Sequence, residues 1–246
     1  MTRFVSLPLA LAAALSLSLT ACGGDDKTNA SAPSTPAGTT PAPSVTPSAP
    51  KPTGPVTRSS TELTRALLAL SDLPAGFSQE KGDPEDTSKP FSSPASRCKT
   101  LVKYLNATEA PGAKASVTRS FSGGQEGPYI DFGLDSMGTA AKVADLRDTY
   151  DDAVSSCSKV SLKVEGESST SMKVEEVSPP KAGTGPFAFR LTGTSGPKRG
   201  LEYTAVITGV NDVIVSVGVL AGQGSEFEAA TEAAVTKAQQ VLKAGR

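Results

Sequence analysis

The strongest constraint on the fold is a series of five runs, between residues 160 and 219, in which apolar residues alternate with other residues. A period of two is typical of a β-strand with one face on a core. Short turns separate the runs, and parallel strands would need longer crossover connections. The series therefore predicts an antiparallel β-meander. The alternating positions are Val160, Leu162 and Val164; Met172 and Val174; Phe187, Phe189 and Leu191; Leu201, Tyr203, Ala205 and Ile207; and Val213, Val215, Val217 and Val219.

Two earlier runs, Lys114 to Phe121 and Tyr129 to Leu134, show the same alternation. The glycine-rich segment 123–127 lies between them, so they predict a long β-hairpin. Most strands alternate cleanly, which favours one buried face per strand and disfavours an interior cavity. The run from Val213 to Leu220 is the exception, because nearly every residue in it is apolar.

Four segments have helical spacing and are separate in sequence from the strands of the meander. Such segregation predicts an α+β fold, in which helices flank a mainly antiparallel sheet. Capping boxes mark the first and last helices. The first helix has Ser59 as N-cap and carries Leu63, Leu67 and Leu70; the second starts at Ser93-Pro94 and carries Cys98, Leu101 and Leu105; the third runs from Ser136 to about Ser156 with Val143, Leu146, Tyr150 and Val154 on one stripe; the fourth starts at Ser225 and carries Phe227, Ala230, Ala234, Ala238 and Val241.

The N-terminal 59 residues are of a different kind. Arg3 and an apolar run from Phe4 to Leu19 are typical of an export signal, and the run is shorter than a membrane span. The sequence Leu19-Thr20-Ala21-Cys22 resembles the lipobox of bacterial lipoproteins, which implies cleavage before Cys22 and attachment of a diacylglyceryl group to that cysteine. An ordinary signal peptide with a chance cysteine is the alternative.

Eight prolines lie between Pro33 and Pro55 among Ser, Thr, Ala and Gly. Such a composition cannot bury enough apolar surface to fold, so it predicts a disordered, semi-rigid tether with a reach on the order of 100 Å. The predicted organisation is a lipoprotein signal peptide over 1–21, a tether over 22–59 and one α+β domain over 60–246. The last segment is long enough for one sizeable core.

Two cysteines, Cys98 and Cys157, remain after Cys22. Each continues the apolar stripe of a predicted helix in an exported chain, which predicts a disulfide between them. The alternative is a pair of buried free thiols.

The residue inventory excludes several function classes. The chain has no histidine, which removes Ser-His-Asp and Cys-His nucleophiles and His-containing zinc sites. Its net charge of −1 provides no basic surface for nucleic acid. Ser-x-x-Lys, the nucleophile motif of penicillin-binding proteins, occurs five times within residues 60–246 and is therefore unspecific here. These five pairs are Ser78/Lys81, Ser96/Lys99, Ser156/Lys159, Ser178/Lys181 and Ser195/Lys198.

Two other motifs have structural interpretations. Gly222-Gln223-Gly224 begins like a dinucleotide fingerprint, but Phe227 occupies the third glycine position, so a tight turn into a helix is favoured. Asp145, Asp148 and Asp152 share one helix face, whereas calcium requires ligands from a curved loop. We therefore predict no catalytic residues, no cofactor and no metal site.

Ala66-Leu67-Leu68 followed by Asp72-Leu73-Pro74-Ala75-Gly76-Phe77 resembles the start of the folded part in many actinobacterial lipoproteins. The order of cysteines, central helix, meander and closing helix resembles the PknH-like extracellular sensor domain. The resemblance covers roughly residues 60 to 246. It implies an antiparallel sheet flanked by helices, with a cleft and an unidentified ligand.

These observations predict a non-enzymatic, sensor-like binding lipoprotein on the extracytoplasmic face of the cell membrane, anchored by fatty acyl groups on Cys22. Its expected partners are the membrane, through this lipid, and a small molecule, cell-wall component or protein, but not nucleic acid. The alternatives are a module that docks a membrane or cell-wall protein, and a lipid or glycolipid carrier. A carrier requires an interior cavity, which the clean alternation disfavours.

Overall fold

The computed structural model describes residues 55, 57–81 and 89–244. The predicted signal peptide, Cys22 and the tether up to residue 54 lie outside these residues. The described residues form a nine-stranded antiparallel sheet in the order β1-β3-β4-β9-β8-β7-β6-β5-β2. The strands are β1 (Ser78–Gln79), β2 (Phe91–Ser92), β3 (Ala115–Ser122), β4 (Tyr129–Ser136), β5 (Lys159–Leu162), β6 (Thr170–Val177), β7 (Thr184–Ser195), β8 (Glu202–Val210) and β9 (Val213–Leu220).

Four α-helices cover the two faces of this sheet: α1 (Ser60–Ala66), α2 (Lys99–Leu105), α3 (Ala140–Ser156) and α4 (Gly224–Ala244). Helices α1 and α4 contact each other and pack on β3, β4, β8 and β9. Helix α3 packs on β6, β7, β8 and β9 and contacts α2. The predicted α+β class and the predicted meander from β5 to β9 are therefore confirmed.

The meander and the β3–β4 hairpin join through a pairing that sequence periodicity does not specify. Strand β4 pairs with β9 along its whole length, from Tyr129 opposite Leu220 to Ser136 opposite Val213. This pairing places β9 in the interior of the sheet, between β4 and β8. Helices α4 and α3 also pack on the two faces of β9, which explains why its apolar run is nearly continuous.

The core has parts on both faces of the sheet, whereas the sequence length suggests one core. On the α1/α4 face, the valines of β9 at positions 213, 215, 217 and 219 pack with apolar residues of β3, β4, α1 and α4. On the α2/α3 face, the apolar residues of β5 to β8 pack with both helices. Both parts are needed because β7 and β8 also carry apolar side chains on the two faces.

The disulfide between Cys98 and Cys157 is present and both residues are buried. Cys98 ends a short 3-10 turn, Ser96–Cys98, that leads into α2, and Cys157 caps the C-terminus of α3. Both belong to the core on the α2/α3 face. The bond therefore joins two helices on one face of the sheet, as the apolar stripes predict.

Several predicted boundaries are wrong. Helix α1 ends at Ala66, and Leu70, predicted to share its apolar face, is 43% exposed in a following 3-10 turn. Helical structure around Cys98 begins at Ser96 rather than Ser93, and α3 begins at Ala140 with Thr139 as its N-cap, because Ser136 still belongs to β4. Strand β5 ends before Val164, which is 37% exposed.

The predicted helix starts at Ser59 and near Ser225 have different outcomes. Ser59 and Glu62 form the capping box, with each side chain bonded to the other's backbone N–H. At α4 the helix begins at Gly224, and the Glu226 carboxylate accepts a hydrogen bond from the backbone N–H of Gln223 at 2.6 Å. The helix therefore begins one residue before the predicted start at Ser225, and Glu226 is the side chain that bonds the backbone before it.

The turn that carries the family resemblance is fixed to α4 by an ion pair. Lys237 of α4 donates to the carboxylate of Asp72, which also accepts a hydrogen bond from the backbone N–H of Ala69 at 2.7 Å. The bond from Lys237 holds the pKa of Asp72 below its usual value. The turn after α1 is thereby held against the last helix.

A buried ion pair joins the N-terminal end of the folded region to the β8–β9 turn. The Arg58 guanidinium donates from Nε to both Asp212 carboxylate oxygens, at 2.9 and 3.0 Å, and from a terminal nitrogen to Oδ1 at 2.7 Å. The two side chains are only 2% and 4% exposed. Arg58 therefore fixes the point at which the predicted tether meets the folded region.

No helix among the described residues is long and apolar enough to cross a membrane.

Candidate functional site

A cavity of about 680 Å³ lies on the α2/α3 face of the sheet. Strands β4 to β9 form its floor, while Phe91, the end of α2 and Tyr150 of α3 stand above them. This volume lies within the range of small-molecule sites in proteins, about 300 to 1,000 Å³. The cavity remains because helices cover the second face of the sheet without filling the space above it, a feature that the alternation of the strands does not specify. We call this space the apolar cavity.

All four tyrosines of the chain line the apolar cavity, and the chain has no tryptophan. The rings of Tyr104 and Tyr150 are in contact, with centroids 4.5 Å apart. Tyr129 comes from β4 and Tyr203 from β8. The remaining lining is mostly apolar: Phe91, Leu105, Leu162, Val164, Met172, Phe189, Leu191, Leu201, Ala205, Ile207 and Leu220.

Small residues give the floor of the cavity its depth. A Cβ atom on Gly218 would lie 2.3 Å from the Tyr203 hydroxyl oxygen, so only glycine lets the Tyr203 ring lie across β9. Similarly, a Cβ atom on Gly133 would lie 2.4 Å from Ser216 Oγ. Side chains at these positions would displace the residues that shape the cavity.

A second cavity of about 340 Å³ adjoins the first, and the two share Ala107, Asp131, Tyr150, Ile207 and Ser216. Its lining has a different chemistry. Three carboxylates, those of Glu109, Asp131 and Asp135, line it together with Thr118 and Ser120, and no lysine or arginine of the described residues lines it. We call this space the acidic cavity.

Asp135 is the buried member of these three carboxylates, with 6% exposure. Its Oδ1 accepts hydrogen bonds from the backbone N–H of Ala110, at 3.0 Å, and from the Ser116 hydroxyl. Burial raises the pKa of Asp135 above its usual value, although both hydrogen bonds oppose this. Among the described residues, no group donates to its other oxygen, Oδ2.

Specific side-chain bonds hold the rim of the apolar cavity. The amide of Asn106, at the C-terminus of α2, bonds both the backbone N–H and the carbonyl of Phe91, at 3.0 and 2.8 Å. The Lys198 ammonium, which also lines the cavity, pairs with Glu167 at 2.9 Å. The lysine charge is therefore compensated within the protein, and Asn106 has a structural role.

The hydroxyls of Tyr150 and Tyr203 are protonated donors at neutral pH. Burial is the main cause that raises the pKa of both Tyr150 and Tyr203, and the negative charges of Asp135 and Asp131 add to it. Tyr129 donates to the carbonyl of Gln125 at 2.6 Å. Within the part of the chain described, the hydroxyls of Tyr104, Tyr150 and Tyr203 have no hydrogen-bonding partner, so they are available to a ligand.

The residues singled out by sequence motifs do not converge on these cavities. Asp145, Asp148 and Asp152 are exposed on the outer face of α3, and no cluster of His, Cys, Asp or Glu among the described residues could hold a metal ion. Ser96 and Lys99 are exposed near α2, and Gly222 precedes the start of α4. The disulfide lies in the core beside the apolar cavity and does not line it. Cys22 lies outside the described residues.

The sequence patterns identify none of the four tyrosines as site residues. They place Tyr150 and Tyr203 among core-facing residues and Tyr129 at the start of a strand, and no pattern includes Tyr104. One feature of the sequence could have indicated the site. Tyr129 lies on the opposite face of its strand from the buried Ile130 and Phe132. Together with the apolar run of β9, this position indicates that the second face of the sheet is partly apolar and covered.

No protein-family model matches the sequence, and no curated protein sequence matches it significantly. Among solved structures, the fold is similar to the crystal structure of the extracellular domain of PknH from Mycobacterium tuberculosis, with a TM-score of 0.58 and 16% identity. The match covers 78% of this chain and 100% of that domain. The resemblance inferred from the sequence is therefore confirmed at the level of the fold.

Proposed function

We propose that this chain is a lipid-anchored extracytoplasmic lipoprotein that binds a small molecule in the apolar cavity, as a sensor-like binding protein without catalysis. The observation that carries the binding proposal is the cavity of about 680 Å³ lined by every tyrosine of the chain. A tyrosine supplies a flat apolar ring and one hydroxyl, so several tyrosines together suit a partly apolar ligand with a few polar groups.

The non-enzymatic part of the proposal rests on the chemistry of the lining. Catalysis by a nucleophile requires an activating base within hydrogen-bonding reach. The chain has no histidine, and the raised pKa values of Tyr150 and Tyr203 keep both hydroxyls protonated. The groups that face the cavity are therefore suited to binding.

The location rests on the N-terminal sequence and on two supporting features. The lipobox-like Leu19-Thr20-Ala21-Cys22 follows an export-type apolar run. A buried disulfide is typical of proteins that fold in oxidising compartments. The fold is also that of an extracellular domain in the solved structure to which it is similar.

A lipid carrier is the second candidate, because a large and mostly apolar cavity lies over the sheet. Apolar side chains of β5, β6, β7, β8 and β9 line its floor. Phe91, Leu162 and Leu220, which also line the cavity, are half-buried. The volume of about 680 Å³ favours a single acyl chain or a compact apolar body over a larger lipid.

Fluorescence of N-phenyl-1-naphthylamine, a neutral apolar dye, tests occupancy of the apolar cavity in the chain from Cys22 to Arg246. We expect enhanced emission with the wild type. Ser216→Phe should abolish it, because Ser216 lies on the floor between the two cavities and phenylalanine would fill that space. Ser195→Phe is the matched control, since it adds the same side chain at an exposed position outside the cavities.

Thermal melting should show that both variants are folded. Equal enhancement in the wild type, Ser216→Phe and Ser195→Phe would place the dye elsewhere and contradict the proposed site. Absence of enhancement with the wild type would also contradict it.

A further inference from the structure

The apolar cavity and the acidic cavity adjoin each other and have chemically different linings. Tyr150, Asp131 and Ser216 line both of them, so a single ligand that spans the shared wall would meet both environments. The apolar cavity is aromatic and aliphatic, whereas three carboxylates and no basic residue of the described chain line the acidic cavity. A ligand that fits both cavities must be apolar at one end and able to compensate negative charge at the other.

Asp135 provides the most specific evidence for the charge of this ligand. The carboxylate is only 6% exposed, and both of its hydrogen bonds end on Oδ1. Oδ2 is left without a donor among the described residues, although Asp135 lines the acidic cavity. Oδ2 is therefore open to a donor from a molecule in that cavity, and a charged N–H group is the strongest complement of a carboxylate oxygen.

Asp131 and Tyr150 extend the same environment toward the apolar cavity. The Asp131 carboxylate is exposed, and its Oδ1 accepts a hydrogen bond from Ser120 at 2.5 Å. The Tyr150 ring lies at the junction, in contact with Tyr104. Aromatic ring faces attract ammonium groups within about 6 Å. Lys198 lines the apolar cavity and is already paired with Glu167.

We propose that the ligand is a small organic amine, with its ammonium group in the acidic cavity against Asp131 and Asp135 and its apolar body on the tyrosine-lined floor. This inference rests on the proposed function, because it names the chemical class of the molecule that the same site binds. Binding involves no covalent step. The carboxylates supply the charge preference, and the apolar cavity supplies most of the buried contact area.

Three probes with the same eight-carbon chain separate the charge preference from apolar binding: octylamine, octan-1-ol and octanoate. Each is titrated below its aggregation concentration into the chain from Cys22 to Arg246. Because all four tyrosines line the apolar cavity and the chain has no tryptophan, intrinsic tyrosine fluorescence reports occupancy. We expect octylamine to bind about tenfold or more tighter than octan-1-ol, and octanoate to bind weakest.

Substitutions at the carboxylates test the assignment of the ammonium position. Asp131→Asn and Asp135→Asn should each weaken octylamine binding more than octan-1-ol binding and so reduce the preference for octylamine. Asp131 is exposed, so Asp131→Asn tests the assignment without altering a buried residue. Asp152→Asn is the control, because this aspartate is exposed on α3 outside both cavities.

The outcomes separate this inference from the proposed function. Equal affinity for the three probes, or tighter binding of octanoate, would overturn the amine assignment while the apolar site stands. An octylamine preference that survives both aspartate substitutions would also overturn it. Failure of all three probes and of the naphthylamine dye would overturn the proposed function itself.

Discussion

Removing the negative charge of Asp212 should destabilise the folded region more than any exposed charge substitution. In the Asp212→Asn variant the Arg58 guanidinium, 2% exposed, would remain buried without a counter-charge. Breaking a buried ion pair on one side costs about 3 to 5 kcal/mol. Folded proteins are stable by about 5 to 15 kcal/mol, so this is a large fraction of the total. The structure therefore predicts a marked loss rather than complete unfolding.

Urea denaturation followed by circular dichroism measures this loss. With an m-value of about 2 kcal/mol per molar urea, the midpoint should fall by about 1.5 to 2.5 M. The control is Glu175→Gln, which removes one partner of the exposed Lys173–Glu175 pair. Exposed pairs contribute about 0 to 1 kcal/mol, so its midpoint should barely change.

A double variant separates lost charge from lost packing. Arg58→Met with Asp212→Asn leaves no charge at the site, so it should recover much of the stability lost in Asp212→Asn alone. If Asp212→Asn shifted the midpoint no more than Glu175→Gln, the pair would be solvated and the reasoning from its burial would be refuted.

Three further predictions concern the cysteines and Asp135. The double variant Cys98→Ser with Cys157→Ser should fold but lose about 4 kcal/mol of unfolding free energy in the chain-entropy model, because the bond closes a loop over 59 positions. Free thiols in the unreduced wild type, detected by iodoacetamide labelling and intact mass, would contradict the bond. Cys22→Ala should release the protein from the membrane fraction, and unchanged membrane association would contradict the lipobox. Asp135→Asn should stabilise the fold at pH 7. Burial raises the pKa of Asp135 in the folded state, so ionisation of this carboxylate destabilises the fold. This destabilisation develops as the pH rises from the unfolded-state pKa of about 3.9 through the folded-state pKa. This gain should disappear well below pH 3.9, and a gain independent of pH would contradict the assignment.

The alternating runs predict the meander well because each strand pairs with its neighbour in sequence and the connecting turns are short. The same locality explains the success at Ser59 and Glu62, whose capping box depends on four consecutive residues. The disulfide was predictable because Cys98 and Cys157 each continue an apolar helical stripe. Each of these predictions depends on a pattern within a short stretch of sequence, so the sequence alone carries enough information for it.

The pairing of β4 with β9 and the cavity above it depend on contacts far apart in sequence. Tyr129 and Leu220 are opposite each other, yet no turn connects their strands. Alternation in one strand shows which residues share a face, but it does not show whether a helix fills the space above that face. The alternation disfavours a carrier function only if one face of each strand is exposed to solvent. In the structure, β7, β8 and β9 have buried residues on both faces.

The candidate site was not predicted for a related reason. Tyr104, Tyr129, Tyr150 and Tyr203 come from two helices and two strands, and only the folded topology brings them together. Asp135 lies in a strand that otherwise has the pattern of a buried hairpin. Its carboxylate is significant because Ala110 and Ser116 satisfy one of its two oxygens and no described residue donates to the other.

Native mass spectrometry of the protein purified from its own host tests most directly whether the apolar cavity is a ligand site. The wild type and Ser195→Phe should carry an additional mass in the native spectrum that is absent under denaturing conditions, which accounts for any covalent lipid on Cys22. Ser216→Phe should lack this additional mass. An identical noncovalent mass on all three proteins, or its absence from the wild type, would contradict ligand binding in the tyrosine-lined cavity.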